Sequence, residues 1–456
     1  MAHKILFIAP LPPPVHGSSM VSKYIKESTL IQESFDCDFV NLSTSRTMDE
    51  IGKGGLKKIF RFLGSLCSLL GKLLTHRYDL CYIAITCHGM GFLKDAPFAL
   101  LCKLFGRKLL LHQHNKGMSR DCNRWPYRWL MPLVYRNATV MLLSWHLYED
   151  ISAVVKREQV IVCPNGVPPL DNGQRLNVDA NQQSMTAINQ RPEGAINRAE
   201  HFNRSAASLT GTEGAHPQPS SIDLDLSCQR DEHTNLDAFT HTQACAGHPD
   251  GTVDCCLSTV DTITDGAEPR LLFLSNLIVS KGIYVLLEAC QRLKERGVAF
   301  HCDYVGGESK EVTGEQFRKA IAERGLEDCV IYHGPQYGAD KDRAFRRADI
   351  FVQPTFDDCF PLVLVEAMQY RLPIVSTDVG AIPDIVTDGV NGLVCKQQDV
   401  DSLVEALTTL LADAALRREM GERGHARYLK EMTLEAFERS FAEALRSTVN
   451  RTGGAG

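Results

Sequence analysis

No stretch of this 456-residue chain reaches the roughly 18 uncharged apolar residues that a membrane-spanning helix needs. A secretory leader is not expected either. The start, MAHKILFIAPLPPPVHG, carries an apolar run that breaks at Pro10, Pro12, Pro13 and Pro14 before it is long enough. The 16 cysteines follow no regular framework. Cys81, Cys87, Cys102 and Cys163 lie in or beside apolar runs, where free cysteine behaves as a small apolar residue. Such usage fits a reducing, cytoplasmic setting. A net charge of −6 gives no sign of a nucleic-acid partner.

Lysine, tryptophan and tyrosine are all missing from residues 171–268. That segment holds 15 acids and five arginines, a charge of −10, which leaves +4 for the rest of the chain (−6 minus −10). Its Asn, Gln, Ser, Thr, Gly, Asp and Ala show no sustained apolar period, too little to offset the entropy of ordering. It is expected to be a low-complexity, disordered insertion. Cys228, His233, His241, Cys245, His248, Cys255 and Cys256 fall within it, but without a CxxC…HxxxH spacing, so no metal site is expected.

On either side, short apolar runs alternate with helix-length segments. KILFIAP, CDFVNL, DLCYIAIT, KLLLHQH, TVMLLS and VIVCPNG precede the insertion; RLLFLSNL, FHCDYVGG, VIYHGP, ADIFVQPT, LPIVST and GLVC follow it. Fully apolar strands alternating with helices predict parallel sheets covered on both faces. The fold class is α/β, with two Rossmann-like doubly wound domains facing across a cleft. The boundaries read as 1–170, 171–268 for the insertion, 269–432, and a C-terminal helix with a flexible tail over 433–456. Ligands of such sheets sit beyond the carboxyl ends of the strands, and every candidate residue below follows a strand.

In IAPLPPPVHGSS, Gly17 opens a helix whose bare amides and dipole suit a phosphate. In LLLHQHNKG, His112 and His114 share one face of an extended strand, and the later position favours His114 at the cleft. In LFLSNLIVSKG, Lys281 stands where strand turns to helix and can pair with a diphosphate. In FDDCFPLVLVEAM, Pro361 suits the first helical position. Asp358 then stands before the helix, the amides of Leu362 and Val363 form an anion site, and Glu366 interrupts the apolar run just beyond. Two carboxylates bracketing an anion site fit a nucleoside-diphosphate sugar, with hydroxyls at both ends and phosphates between.

These motifs resemble those of glycosyltransferase family 4 (group 1), retaining enzymes of the GT-B fold. DCFPLVLVEAM is similar to that family's Glu-x7-Glu motif, and DVGAIPDIVTDGVNGLVC continues it. LSNLIVSKG is similar to its Gly-Arg-Leu…Lys-Gly element, VCPNGV to its interlobe turn, and PPPVHGSS to its first loop. The likeness covers all but the insertion and tail. It implies that Lys281 contacts the diphosphate, Glu366 holds the ribose hydroxyls, Asp358 orients the transferred sugar, His114 contacts that sugar, and Gly17 admits the phosphate. Two positions depart from the pattern. Asp358 is one methylene shorter than the family's Glu, and Asn276 stands where the family has an Arg, with one positive charge fewer.

The implied activity is retaining, metal-independent hexosyl transfer from a UDP- or GDP-sugar to a hydroxyl acceptor. The implied acceptor is a lipid-linked saccharide in cell-surface polysaccharide assembly. No bound cofactor is called for. The Asp-x-Asp triplets of metal-dependent transferases are matched only by Asp36/Asp38, read as preceding the second strand, and by Asp223/Asp225 in the insertion; both read as solvated acids. The alternatives are a non-catalytic GT-B subunit that supports a partner transferase, or a nucleotide-sugar epimerase of the same fold. Finally, KGGLKKIFRFLGSLCSLLGKLL carries Lys53, Lys57, Lys58 and Arg61 beside Phe60 and Phe62, and NRWPYRWLMPLVYR carries Arg124, Arg128 and Arg136 among Trp125, Tyr127 and Trp129. Most of the leucines of the first segment are expected to face the core. The cations and aromatics predict contact with an anionic membrane surface, so a peripheral enzyme at the inner face of the cell membrane.

Overall fold

A computed structural model describes residues 2–13, 17–43, 55–170 and 268–451. All but Glu268 of the 171–268 segment, Lys53, and the end of the 433–456 tail lie outside the described residues. The described residues all fall in one compact unit that joins 1–176 to 266–456.

The N-terminal sheet contains β1 (Lys4–Ala9), β2 (Asp36–Asn41), β3 (Leu80–Ile85), β4 (Leu109–Gln113), β5 (Thr139–Leu142) and β6 (Val160–Val162). Its order is β2-β1-β3-β4-β5-β6, parallel throughout. The C-terminal sheet contains β7 (Arg270–Leu274), β8 (His301–Val305), β9 (Val330–Gly334), β10 (Ile350–Gln353), β11 (Ile374–Ser376) and β12 (Gly392–Val394). Its order is β12-β11-β10-β7-β8-β9, again parallel throughout. The molecule is therefore a GT-B-type α/β protein with two such sheets. Every apolar run named from the sequence contains a strand. Inner strands covered on both faces are largely apolar, and all residues of β3, β4 and β10 are buried, whereas the edge strands β2 and β9 keep exposed residues.

The chain crosses back at its end. The helix Leu434–Asn450 packs on the N-terminal sheet, with Phe437, Phe441 and Leu445 in one buried cluster with Ile5, Phe7 and Tyr82. The Phe441 ring lies 5.3 Å from that of Tyr82 and 6.5 Å from that of Phe7. Val167 is fixed to this crossing by hydrogen bonds from its N–H to Met432 O (3.1 Å) and from the Leu434 N–H to its carbonyl (2.9 Å).

One sequence expectation fails in the helix Leu56–Thr75. Only Leu69 and Leu73 are buried, with Phe62 and Leu66 packed partly against the core. Leu56, Phe60, Leu63, Leu70 and Leu74 recur along a second line of the helix and are exposed. The reason is geometric: a helix on a sheet buries one stripe, and this helix carries two apolar stripes. The helix Gly89–Leu104 lies beside it through the Phe62–Phe98 contact, and beside the helix Tyr127–Tyr135 through Phe92–Tyr127. No described helix is long and apolar enough to cross a membrane.

Candidate functional site

In the C-terminal sheet β7 and β10 are neighbours, and the chain winds outward from them in opposite directions. Ligands of open parallel sheets bind beyond the strand ends at such a switch point. The loops that leave β7 and β10 carry Lys281 and Asp358.

Those loops are tied by backbone. The Ser280 carbonyl accepts from Thr355 Oγ1 and from the Phe356 N–H, each at 2.9 Å. Gly282 makes the approach feasible: it has φ +83°, and a Cβ there would lie 2.2 Å from the Pro354 carbonyl oxygen. The Lys281 Nζ then sits 2.6 Å from Asp358 Oδ2 and donates to the Asp357 carbonyl at 3.0 Å. Asp358 Oδ1 accepts the Cys359 N–H at 2.9 Å. Behind it Gly380, at φ +60°, leaves room for the Asp358 carbonyl, which a Cβ would meet at 2.4 Å.

The helix Leu362–Gln369 begins one residue later than the sequence reading implied, with Pro361 as its cap residue rather than its first helical one. Pro361 places no side-chain hydrogen bond on the helix start, and the amides of Leu362 and Val363 have no intrahelical partner. Leu364, Val365, Ala367 and Met368 are buried, whereas Glu366 is partly open. Its two oxygens accept from Lys341 Nζ at 2.8 and 2.7 Å. Glu366 also faces the N-terminal half: burial first, then the charges of Glu366 and Glu27, push the Tyr24 hydroxyl up to about 12, so Tyr24 remains neutral.

On the N-terminal side His114 follows β4, its ring 4.0 Å from that of His112. His112 is fully buried, with Nδ1 2.8 Å from the Tyr82 hydroxyl. Burial, with His114 adding to it, holds His112 well below the usual imidazole range and hence uncharged. Gly17 opens the helix Gly17–Glu27, with open space where a Cβ would stand. Residues 14–16 of that loop lie outside the described residues. The next loop is clamped. Asp150 accepts from the amides of Gly117 (2.7 Å), Met118 (3.0 Å) and Ser119 (3.2 Å), and from Ser119 Oγ (2.6 Å). Lys116 Nζ lies 3.2 Å from Asp357 Oδ1, an ion pair between the two halves.

Asn276 is engaged locally. Its Oδ1 accepts the Gly307 N–H at 3.1 Å, which ties the loop after β7 to the loop after β8. Asp36 and Asp38 do not precede β2 but begin it, and Asp38 bonds Lys72 (2.9 Å) and Tyr78 (2.7 Å) at the far end of the sheet from the cleft. Among the described residues no group of three or more His, Cys, Asp or Glu is arranged to hold a metal ion. Sequence reasoning missed Lys116, Lys341, Tyr24 and Asp357. Lys116 was open to notice, two residues past His114; Lys341 was not, since GADKDRAFRRAD reads as a solvated charged helix.

Two six-stranded parallel sheets of this order make a GT-B fold, and comparison with solved structures agrees. Sucrose-phosphate synthase from Thermosynechococcus elongatus superposes at a TM-score of 0.62 and 15% identity, over 99% of this chain and 100% of that one. Anabaena HepE, solved in complex with UDP, superposes at 0.60 and 16% identity, over 97% and 100%. Residues 261–427 match the family described as glycosyl transferases group 1, so the C-terminal half carries a group 1 glycosyl transferase domain. The amylovoran biosynthesis glycosyltransferase AmsK of Erwinia amylovora is 33% identical over 147 residues, 31% of this chain and 35% of that protein. The D-inositol 3-phosphate glycosyltransferase of Corynebacterium glutamicum is 31% identical over 153 residues, 33% of this chain and 37% of that protein. The matched part thus spans about a third of the length of these curated relatives.

Proposed function

We propose that the chain is a retaining glycosyltransferase that moves a sugar from a UDP- or GDP-sugar to a hydroxyl of a lipid-linked saccharide, in assembly of a cell-surface polysaccharide. The observation that carries this reading is the Lys281–Asp358 pair at the β7/β10 switch point, beside the open start of the helix that carries Glu366. AmsK and a putative colanic acid biosynthesis glycosyltransferase, WcaL of Salmonella typhimurium, support the polysaccharide context. In the reaction the bond from the anomeric carbon to the diphosphate breaks and its electron pair leaves with the phosphate, while the acceptor hydroxyl oxygen bonds that carbon and its proton passes to the departing phosphate. Lys281 and the amides of Leu362 and Val363 meet that charge where it develops, with dipoles already oriented. Glu366 exchanges Lys341 for the ribose hydroxyls, Asp358 orients the sugar, and His114 approaches it from the other side. These charges serve without a metal or a covalent intermediate.

The membrane reading rests on the N-terminal surface. Leu56 is 74% exposed, Phe60 71%, Trp125 79% and Trp129 67%, and Arg128 lies over the Trp129 ring at 5.0 Å. Exposed aromatics and leucines next to Lys57, Lys58 and Arg61 suit an anionic bilayer surface. Flotation with anionic liposomes tests it. Binding at low salt that vanishes at high salt and in a Lys57/Lys58/Arg61 triple alanine variant supports the peripheral enzyme; no binding at low salt means a soluble acceptor.

A panel of UDP-, GDP- and ADP-sugars scored by thermal shift tests the donor site, because a ligand at a hundredfold its Kd stabilises by about 2.7 kcal/mol. No shift with any donor refutes the transferase. The uncharged, structurally engaged Asn276 favours one other reading, a non-catalytic subunit; turnover of a nucleotide sugar by the purified single chain excludes it.

A further inference from the structure

Charge at the switch point does not balance from the C-terminal half alone. Asp357, Asp358 and Glu366 supply three carboxylates, against the ammonium groups of Lys281 and Lys341. A rim with an excess negative charge is a poor host for a diphosphate. The third cation comes from the opposite half, as Lys116.

Lys116 is not a free surface lysine. Asn115 before it is held by Cys87, whose N–H donates to Asn115 Oδ1 and whose Sγ donates to the Asn115 carbonyl, both at 3.1 Å. Gly117 after it is held by Asp150 at 2.7 Å. A lysine between two clamped residues has its backbone position fixed, and its side chain is 28% exposed. It meets the same residue that Lys281 meets: Lys116 contacts the Asp357 carboxylate, and Lys281 contacts the Asp357 carbonyl. The reach of one residue puts the two ammonium groups on the order of 10 Å apart or less, a span that two linked phosphates can bridge.

We infer that Lys116 is a diphosphate-binding residue, contributed by the N-terminal half, that leaves Asp357 for the phosphates when donor binds. This inference rests on the nucleotide-sugar reading of the site and adds to it a residue from the other half. The Asp357 carboxylate is then a placeholder: it neutralises Lys116 until donor binds and competes with the incoming anion.

The test measures binding of UDP, GDP and ADP, and of the matching nucleosides, by calorimetry to the full chain. The diphosphate that binds wild type is expected to bind Lys116→Ala about 10- to 100-fold more weakly, the worth of a charge-assisted contact. The nucleoside is expected to bind both equally, and Lys116→Arg to recover most of the loss. Asp357→Asn separates a ligand role from a latch between halves. If Lys116 binds phosphate, freeing it leaves diphosphate affinity unchanged or higher. If it only holds the halves together, Asp357→Asn weakens binding as much as Lys116→Ala does, which overturns the inference. Equal diphosphate affinity of wild type and Lys116→Ala also overturns it while leaving the site reading intact. Failure of wild type to bind any of the three diphosphates refutes both.

Discussion

Replacing Lys281 by alanine removes the ammonium that the loops after β7 and β10 converge to place. Its pair with Asp358 is largely enclosed, the side chains being 20% and 14% exposed. In such a setting an effective dielectric near 20 applies, and two unit charges at about 4 Å interact by roughly 4 kcal/mol. Part of that is cancelled in the ground state, where Lys281 already has Asp358 as partner and must release it. A remainder of about 2.7 kcal/mol is expected to be realised as the diphosphate departs, a hundredfold loss in kcat/KM. The fold is expected to tolerate the change. Ser280 holds Thr355 and Phe356 through its own carbonyl, and Asp358 keeps the Cys359 N–H, so neither contact needs the lysine side chain. The assay is release of nucleoside diphosphate from the donor found in the thermal-shift panel, with Tm measured on the same preparation. Turnover within about threefold of wild type, at an unchanged Tm, would refute the phosphate assignment. A fall in Tm beyond a few degrees would show instead that the pair holds the two loops together.

Glu366→Gln keeps the shape of the side chain and loses the charge that Lys341 balances; transfer is expected to drop about a hundredfold, and unchanged kcat/KM rules out ribose recognition by this residue. Asp150→Asn is expected to cost about 1–3 kcal/mol in urea unfolding near neutral pH, through weakened bonds to the clamped amides. Burial acts to raise the Asp150 pKa, but Ser119 Oγ and the amides of Gly117, Met118 and Ser119 outweigh it and hold it below the ordinary value. Its stabilisation is therefore complete above the ordinary carboxylate pKa of about 3.9 and is lost as pH falls through the lower folded value. The gap between wild type and variant should close on acidification, and a gap that widens there would contradict the clamp. Phe441→Ala is expected to destabilise by about 3–5 kcal/mol, because its ring is fully buried against Tyr82 and Phe7; a loss below about 1 kcal/mol would mean that the last helix is not docked on the N-terminal sheet.

The inner strands were legible in the amino-acid order because they are covered on both faces, so runs such as LCYIAI and IFVQ stand out without any tertiary information; the edge strands β2 and β9 keep exposed residues and show a weaker signal. Lys281 and Asp358 stood out as candidates for a related reason, as polar residues in the turns after such strands, and the fold brings these two together; Glu366 stood out instead as a carboxylate inside an apolar helix. The helix 56–75 shows the limit. Its leucines are alike in sequence, and only the face that the helix turns to its neighbours in the fold decides that Leu69 and Leu73 are core while Phe60 and Leu63 face outward. Lys116 and Lys341 show it more sharply. Both are ordinary charged residues in polar surroundings, separated by more than 200 positions; the nearness of Lys116 to His114 was the one local hint, and nothing local marks Lys341. Strand order alone brings β7 beside β10, and the cleft alone brings the loop after β4 to Asp357. Local hydrophobic pattern determined where strands and helices form, because burial acts residue by residue; which charges meet was decided by topology, because these ion pairs join elements that lie far apart in the chain and are neighbours only in the fold.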